Sequence, residues 1–386
     1  MMARLRDLPP LARNAGIVGA LALVACIVGG VLDPAAFFAA WLINWLFLLG
    51  VALAAMMQVM IHELTGGHWG RFLRPPLEAA MSTLPLVALL AIPLAFGLPS
   101  LFEWARPDAV ADSALLQAKQ WFLNAPGFIV RNAAWLAAWS AFAWAMRRHL
   151  DDDAAQSVRA RRRIAVAGLL VYLFTITVVA YDFVASLVPE WSSTAVGLRL
   201  GAAQFIAAFA FAVPFAVYDD AARRAAPRAS ARDFGDFGNL LLTFSMTWAY
   251  IAFTQYLIVW GEDLPHETSW YWPRVTTSWH WLGLAVLLLN FAIPVVAMLF
   301  RAIKRDPRRL ALVCLLALAG QWLDSAWLVA PSLRRDGFAL DWLDVAALAA
   351  EGGLWLAWIG VCVARETVAR EAAPVPGVID GVRSRG

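Results

Sequence analysis

The chain has 386 residues, of which 61% are hydrophobic and only 15% are charged. Soluble globular proteins carry about a quarter charged residues, so this composition excludes an ordinary soluble fold and indicates an integral membrane protein in contact with a lipid bilayer. The net charge of +3 is small, and no basic stripe interleaved with aromatic residues is present, so we expect no nucleic acid partner.

Ten apolar runs satisfy the requirement of about 20 mostly apolar residues for a spanning helix. They lie at 14–32, 37–61, 78–98, 126–146, 164–187, 196–217, 238–260, 279–300, 310–330 and 342–364. The longest loop on the outer side, 99–125, is expected to carry a surface helix. The sequence therefore predicts an all-α integral membrane protein of about ten transmembrane helices. Residues 1–372 are expected to form a single polytopic membrane domain, followed by a flexible cytoplasmic tail at 373–386.

The positions of Lys and Arg predict the orientation, because cytoplasmic loops of membrane proteins carry an excess of basic residues. An even number of helices places both termini on one side of the membrane. About 24 of the 31 basic residues fall on that side, and the other seven fall on the opposite side or at helix ends that face it. Both termini are therefore predicted to be cytoplasmic.

Ionisable residues inside the apolar runs are functional candidates, because each costs about 2.5–3.5 kcal/mol to place in hydrocarbon. The residues Arg131, Asp182, Arg199 and Asp324 are predicted to lie in the outer halves of their helices and, with His280, to form one ion-paired cluster. Two structural alternatives stay open. The arginines can extend to the membrane interface, and an Asp–Arg pair can simply fix the register of two helices.

Three further places hold polar candidates. Glu351 is predicted to stand alone near the middle of the membrane, either as a proton or ligand site or as a protonated group that only packs. Five ionisable residues are expected to gather on the inner side, at the turn after the second helix: His62, Glu63, Arg71, Arg74 and Glu78. Gln255 belongs to a set of buried amides that commonly form hydrogen bonds between helices.

Patterns for metals and cofactors are weak. The three cysteines stand alone in apolar runs, without a CxxC or CxxCH pattern, so no haem, iron–sulfur or zinc attachment is predicted. His62 and His68 are six residues apart, whereas a zinc-protease helix places its two histidines four apart. No histidine is predicted at mid-depth, where an embedded haem would need two.

Three stretches together resemble a known family. The first is DFVASLVPEWSST at 182–194, the second is WAYIAFTQYLIVW at 248–260 with the loop that follows it, and the third is HELTG at 62–66. The combination resembles the ActF membrane subunit of alternative complex III, a bacterial quinol:cytochrome c oxidoreductase. That subunit belongs to the NrfD-like group of ten-helix membrane proteins. The resemblance spans helices 2 to 9.

The resemblance implies two four-helix bundles, helices 2–5 and 6–9, flanked by helices 1 and 10. It implies a bacterial inner membrane location and three kinds of partner: a second NrfD-like membrane subunit, an outer iron–sulfur subunit and haem c subunits. The chain itself is expected to carry no cofactor, because haem c and iron–sulfur clusters belong to the partner subunits and the quinol site to the sister subunit. Whether quinol also contacts this chain is open.

The expected role is structural and, in part, proton-conducting. The resemblance points to Arg131, Asp182, Gln255 and the turn at His62 and Glu63. Asp324 and Glu351 are instead predicted from their positions inside apolar runs.

A solute or ion transporter of the inner membrane is the alternative. Transporters often have helices broken by Gly or Pro near mid-membrane in both halves of the fold. Here the prolines inside the predicted helices are few. They are Pro93, Pro214 and Pro294, which lie near the predicted helix ends and lack paired glycines. The alternative is therefore less favoured by the sequence, although not excluded.

Overall fold

The structure, a computed structural model, describes residues 10–150, 154–218 and 229–372. The predicted tail at 373–386 lies outside these described residues. The long helical segments, in chain order, are α1 Pro10–Leu32, α2 Pro34–Thr65, α3 Trp69–Phe96, α4 Ala125–Leu150, α5 Ala155–Phe183, α6 Val196–Tyr218, α7 Ala231–Glu262, α8 Trp279–Leu299, α9 Pro307–Leu333 and α10 Trp342–Ala372. No β-strand occurs in the described ranges. The prediction of an all-α integral membrane protein is confirmed.

The structure contains nine helices, within the described ranges, that are long and apolar enough to cross a membrane. All of the long segments except α4 belong to this set. Helix α4 has 26 residues, but Arg131 and Asn132 near its start reduce its hydropathy. The predicted number of about ten therefore corresponds to nine clear spans and a tenth long helix, α4, which is more polar than the others.

Helices α2 and α6 lie at the centre of the molecule. Both are hydrophobic on every side, which is typical of a helix buried all round. Helix α2 packs against α3, α5 and α6, and α4 packs against α3 and α5. Helix α6 packs against α7 and α9, and α8 contacts both of these. These contacts are compatible with bundles of helices 2–5 and 6–9, an arrangement that stays a prediction.

Two of the helices are irregular. Helix α3 consists of the segments Trp69–Met81, Leu84–Leu90 and Ile92–Phe96, and the second and third segments have proline at their second position. Proline lacks an N–H and suits the first turn of a helix, so each proline restarts the helix after a break. Helix α8 contains a π-helical turn at Leu288–Ala292, just before Pro294.

Helix α1 packs closely on α10 through glycines. A side chain added at Gly353 would place its Cβ 2.5 Å from the carbonyl oxygen of Ala15 and 2.7 Å from the Cα of Gly19. The two helices can approach this closely only because neither Gly353 nor Gly19 has a Cβ. Small residues generally allow membrane helices to approach in this way. The opposite face of α1 is apolar and exposed, as expected for a helix in contact with lipid.

Gly353→Ala is expected to lower the free energy of unfolding by about 1–3 kcal/mol, the usual cost of overpacking, because α1 must move away from α10. Gly352→Ala is the matched control, since a Cβ at Gly352 has no heavy atom within 4 Å. Thermal unfolding of the purified protein in mild detergent measures both variants. Equal midpoints for the two variants would show that the glycine contact does not hold α1 in place.

Candidate functional site

The first ion pair joins α4 to α5. The guanidinium of Arg131 donates to both carboxylate oxygens of Asp182, from Nε at 3.0 Å and from Nη2 at 2.6 Å. Asn132 Nδ2 donates a third hydrogen bond to Asp182 Oδ2 at 2.8 Å. The Arg131 side chain is 19% exposed and lies over the ring of Phe122, whereas Asp182 is fully buried. Two-point pairing of this kind fixes both the distance and the orientation of the helices.

The second ion pair joins α6 to α9. Arg199 Nη2 donates to Asp324 Oδ1 at 2.6 Å, and both side chains are buried. The guanidinium carbon of Arg199 also lies 5.8 Å from the ring centre of Trp248 and 5.4 Å from that of Trp327. Aromatic faces attract cations at such distances. Arg199 therefore does not extend to the interface, and its charge is balanced inside the protein.

Four of the five residues of the predicted cluster thus form two separate ion pairs, and no ion pair in the described part of the chain joins one pair to the other. His280, the fifth member of the predicted cluster, is exposed, and its Nδ1 lies 2.7 Å from the carbonyl oxygen of Thr277. A single cluster is therefore not what the structure shows. Sequence places these residues at similar depth but does not say which helices are neighbours.

Glu351 is fully buried on the inward face of α10. Neither of its carboxylate oxygens has a hydrogen-bond partner among the described residues. The carboxyl group is thus isolated in apolar surroundings, whereas Asp182 and Asp324 each have an arginine partner.

The turn between α2 and α3 holds an ion-paired network. Glu63 accepts a hydrogen bond from Arg161 Nε at 3.0 Å, and its other oxygen lies 3.7 Å from Arg74. Arg74 Nε donates to Glu78 at 2.5 Å. His62 Nε2 lies 3.1 Å from the carbonyl oxygen of Gly67 in the same turn. The expected gathering of His62, Glu63 and Glu78 is present, and Arg161 of α5 is a partner that sequence reasoning did not identify.

The buried amides contribute bonds between helices. Gln58 Nε2 donates to the carbonyl oxygen of Phe205, which links α2 to α6, and Asn44 accepts from Trp322, which links α2 to α9. These bonds agree with the structural interpretation of such residues. Gln255 differs, because it is buried and its Oε1 has no hydrogen-bond partner among the described residues.

Arg274 was not among the sequence candidates, although it is the most completely buried arginine that the structure describes. It donates to the carbonyl oxygens of Trp270, Trp327 and Leu328 and to the hydroxyl of Ser332, at 2.5–3.1 Å. Its guanidinium carbon lies 3.4 Å from the ring centre of Trp270. Burial lowers the pKa of Arg274, although the nearby Tyr271 opposes this shift. The signal for a buried arginine that the sequence offered was the run of three aromatic residues, WYW at 270–272, just before it.

A cavity of about 690 Å³ lies among α6, α7, α8, α9 and the loop between α7 and α8. We call it the α7–α8 cavity, and its polar lining includes Arg199, Trp248, Tyr256, Tyr271, Arg274, His280 and Trp327. The remaining lining is largely apolar. Burial raises the pKa of Tyr271 to about 12, so its hydroxyl stays protonated near neutral pH. Two cations and several N–H or O–H donors therefore surround an otherwise apolar space.

The described residues contain no group of three or more His, Cys, Asp or Glu side chains that could hold a metal ion. Comparison with known proteins adds no assignment, since no protein-family model matches the chain and no curated protein matches it.

Proposed function

We propose that the chain is a cofactor-free integral membrane subunit of a bacterial respiratory quinol:cytochrome c oxidoreductase, similar to the ActF subunit of alternative complex III. Its role there is structural and proton-conducting. The proposal is supported by the three sequence stretches at 62–66, 182–194 and 248–260, and by the distribution of buried ionisable groups over a scaffold of long apolar helices.

The observation that carries the proton-conducting role is Glu351. A carboxyl group inside a membrane helix is costly, and one with a purely structural role is expected to have an ionic or hydrogen-bonded partner. Asp182 and Asp324 have arginine partners and connect pairs of helices, so their role is to position α4 on α5 and α6 on α9. Glu351 has no such partner among the described residues. It is therefore the group that we assign to proton binding.

The proposal includes a location and an orientation. We propose that the chain lies in the inner membrane of a bacterial cell with both termini in the cytoplasm, which is supported by the excess of basic residues on the side of the termini. Its proposed partners are a second NrfD-like membrane subunit, an outer iron–sulfur subunit and haem c subunits. On this orientation the two Asp–Arg pairs and the α7–α8 cavity lie toward the outer surface, and the network at Glu63 lies toward the cytoplasm.

The transporter alternative gains one observation from the structure. Helix α3 is broken twice and α8 contains a π-helical turn, and irregular backbone within a membrane is tolerated only where it is buried in protein or lines a water-filled cavity. However, the amide of Asn290 in the π turn donates to the carbonyl oxygen of Gly320. This bond packs the irregular turn against α9 and favours a structural role for it.

Capture of the tagged chain from membranes in mild detergent tests the proposal. We expect haem c subunits, detected by their absorption spectrum, and an iron–sulfur subunit, detected by electron paramagnetic resonance, to copurify with the chain. A monodisperse chain that purifies alone and is thermally stabilised by a transported solute would contradict the proposal and support the transporter alternative.

A further inference from the structure

The α7–α8 cavity has the features of a lipid-binding site. Its rim includes Met246, Tyr250 and Phe253 of α7 and Leu287 of α8, all of them substantially exposed in the chain. Exposed apolar side chains on membrane-spanning helices face lipid or another subunit. The cavity is thus bounded by apolar surface along α7 and α8, from which a ligand can enter directly from the bilayer.

One end of the cavity lies at the depth expected for lipid head groups. This end is where α6 and α8 begin and where α7 and α9 end, beside the loop that contains Trp270, Tyr271 and Trp272, and the other end reaches the middle of α7 at Met246. Trp and Tyr are enriched at the level of lipid head groups. A molecule that enters from the bilayer therefore places a polar head beside this loop and an apolar chain along the helices.

The charge of the cavity favours an anionic head. Arg199 and Arg274 both line it, and only Arg199 has a carboxylate partner within the described residues, Asp324. Arg274 is held by neutral oxygen atoms, so its positive charge is not balanced by the described part of the chain. In the same region Arg199 Nη1 and Trp327 Nε1 are buried without hydrogen-bond partners among the described residues. These groups give the cavity an excess of positive charge and hydrogen-bond donors that have no acceptor among the described residues.

From these features we propose that the α7–α8 cavity binds one anionic phospholipid. The phosphate group lies near Arg274, Tyr271 and Tyr256, and one acyl chain follows the exposed face of α7 past Phe253 and Met246. A neutral head, such as that of a quinone, would leave the positive charge of Arg274 unbalanced. The inference is independent of the proposed respiratory function, because it requires only the cavity, its charge and a bilayer.

Native mass spectrometry of the delipidated full chain in detergent tests this binding. The probes are phosphatidylglycerol, zwitterionic phosphatidylcholine, inorganic phosphate and a short-chain quinone, each added separately and then in competition. We expect one phosphatidylglycerol per chain, retained about tenfold more strongly than phosphatidylcholine. We also expect neither inorganic phosphate nor the quinone to displace it at equal concentration, because neither combines an anionic head with acyl chains.

Two pairs of variants locate the bound lipid. Ala252→Trp fills the cavity from α7, and Ala141→Trp adds the same bulk to the exposed face of α4, away from the cavity. Tyr256→Glu places a negative charge in the cavity, and Leu257→Glu places one on α7 outside the cavity lining. We expect Ala252→Trp and Tyr256→Glu to lose the phosphatidylglycerol and the two controls to keep it.

Four results would overturn the proposal. They are equal retention of phosphatidylglycerol and phosphatidylcholine, undiminished retention by a folded Ala252→Trp variant, displacement of the lipid by the quinone, and equally strong binding of inorganic phosphate. The third result would assign the cavity to a quinone, and the fourth would reduce it to an anion site that does not need a lipid. Ala252→Trp removes the space for the lipid, whereas Tyr256→Glu leaves that space and repels an anionic head. Comparison of the two variants therefore separates the effect of space from the effect of charge.

Discussion

Asp324→Leu is expected to lower the free energy of unfolding by about 3–5 kcal/mol, the usual cost of removing one partner from a buried ion pair. The substitution leaves the guanidinium of Arg199 buried between α6 and α9 without a counter-charge. Arginine does not lose its proton in a protein, so the uncompensated charge persists at any accessible pH. Equilibrium unfolding in mild detergent measures the loss.

The reverse substitution, Arg199→Met, is expected to cost less. The aspartate that remains can take up a proton and become neutral, which the arginine cannot do. The double variant Arg199→Met/Asp324→Leu is expected to recover most of the stability, because an apolar pair of similar volume often replaces a buried ion pair without loss. A double variant as unstable as Asp324→Leu alone would show that packing, rather than the uncompensated charge, causes the effect.

The pair on α4 and α5 provides a comparison. Arg131 is 19% exposed, so after Asp182→Leu its guanidinium can move toward the membrane interface. We therefore expect Asp182→Leu to destabilise the protein less than Asp324→Leu does, although Asp182 accepts more hydrogen bonds. The opposite order would mean that hydrogen bonds outweigh the burial of charge at these sites.

Glu351→Gln is expected to have the largest effect on activity. If Glu351 carries protons, the amide stops transfer through that position and the proton-linked step slows on the order of 10²-fold, the lower range for a positioned proton-transfer group. Stability should change by less than about 1 kcal/mol, because no hydrogen bond to a described residue is lost. The step is measured as proton uptake from the side of the termini by the assembly reconstituted in liposomes, because quinol oxidation by itself only releases protons.

The control for this experiment is Glu262→Gln, at the exposed end of α7. It makes the same chemical change outside the buried interior, and we expect it to leave proton uptake unchanged. Unchanged uptake in Glu351→Gln as well would assign Glu351 a packing role and remove the proton-conducting part of the proposal. A folded Glu351→Gln variant is required for either conclusion, so its unfolding midpoint is measured in parallel.

The existence of the long helices was predictable because apolar runs of membrane length have few other structures open to them. The ends of these helices were less predictable. Helix α5 begins at Ala155, whereas the apolar run begins at 164, because the basic stretch at Arg161–Arg163 continues the helix. The run at 78–98 was expected to be one helix, but it is broken at its prolines, and α3 extends back to Trp69.

The pairing of the buried charges was not predictable from one sequence. Depth follows from the position of a residue along its helix, and so Asp182 and Asp324 could be placed in the outer half. Their partners depend on which helices are neighbours and on how each helix is rotated, which hydropathy does not specify. Arg161 and Arg274 were missed for a related reason: both lie outside the apolar runs, and both become buried through contacts with distant segments.

Electron transfer by the assembly captured through this chain is the most direct test of the proposed function. With a quinol as donor and cytochrome c as acceptor, we expect the captured assembly to reduce cytochrome c, and the haem c absorption to change during turnover. An assembly that contains this chain but neither oxidises quinol nor contains haem c would contradict its assignment to a quinol:cytochrome c oxidoreductase.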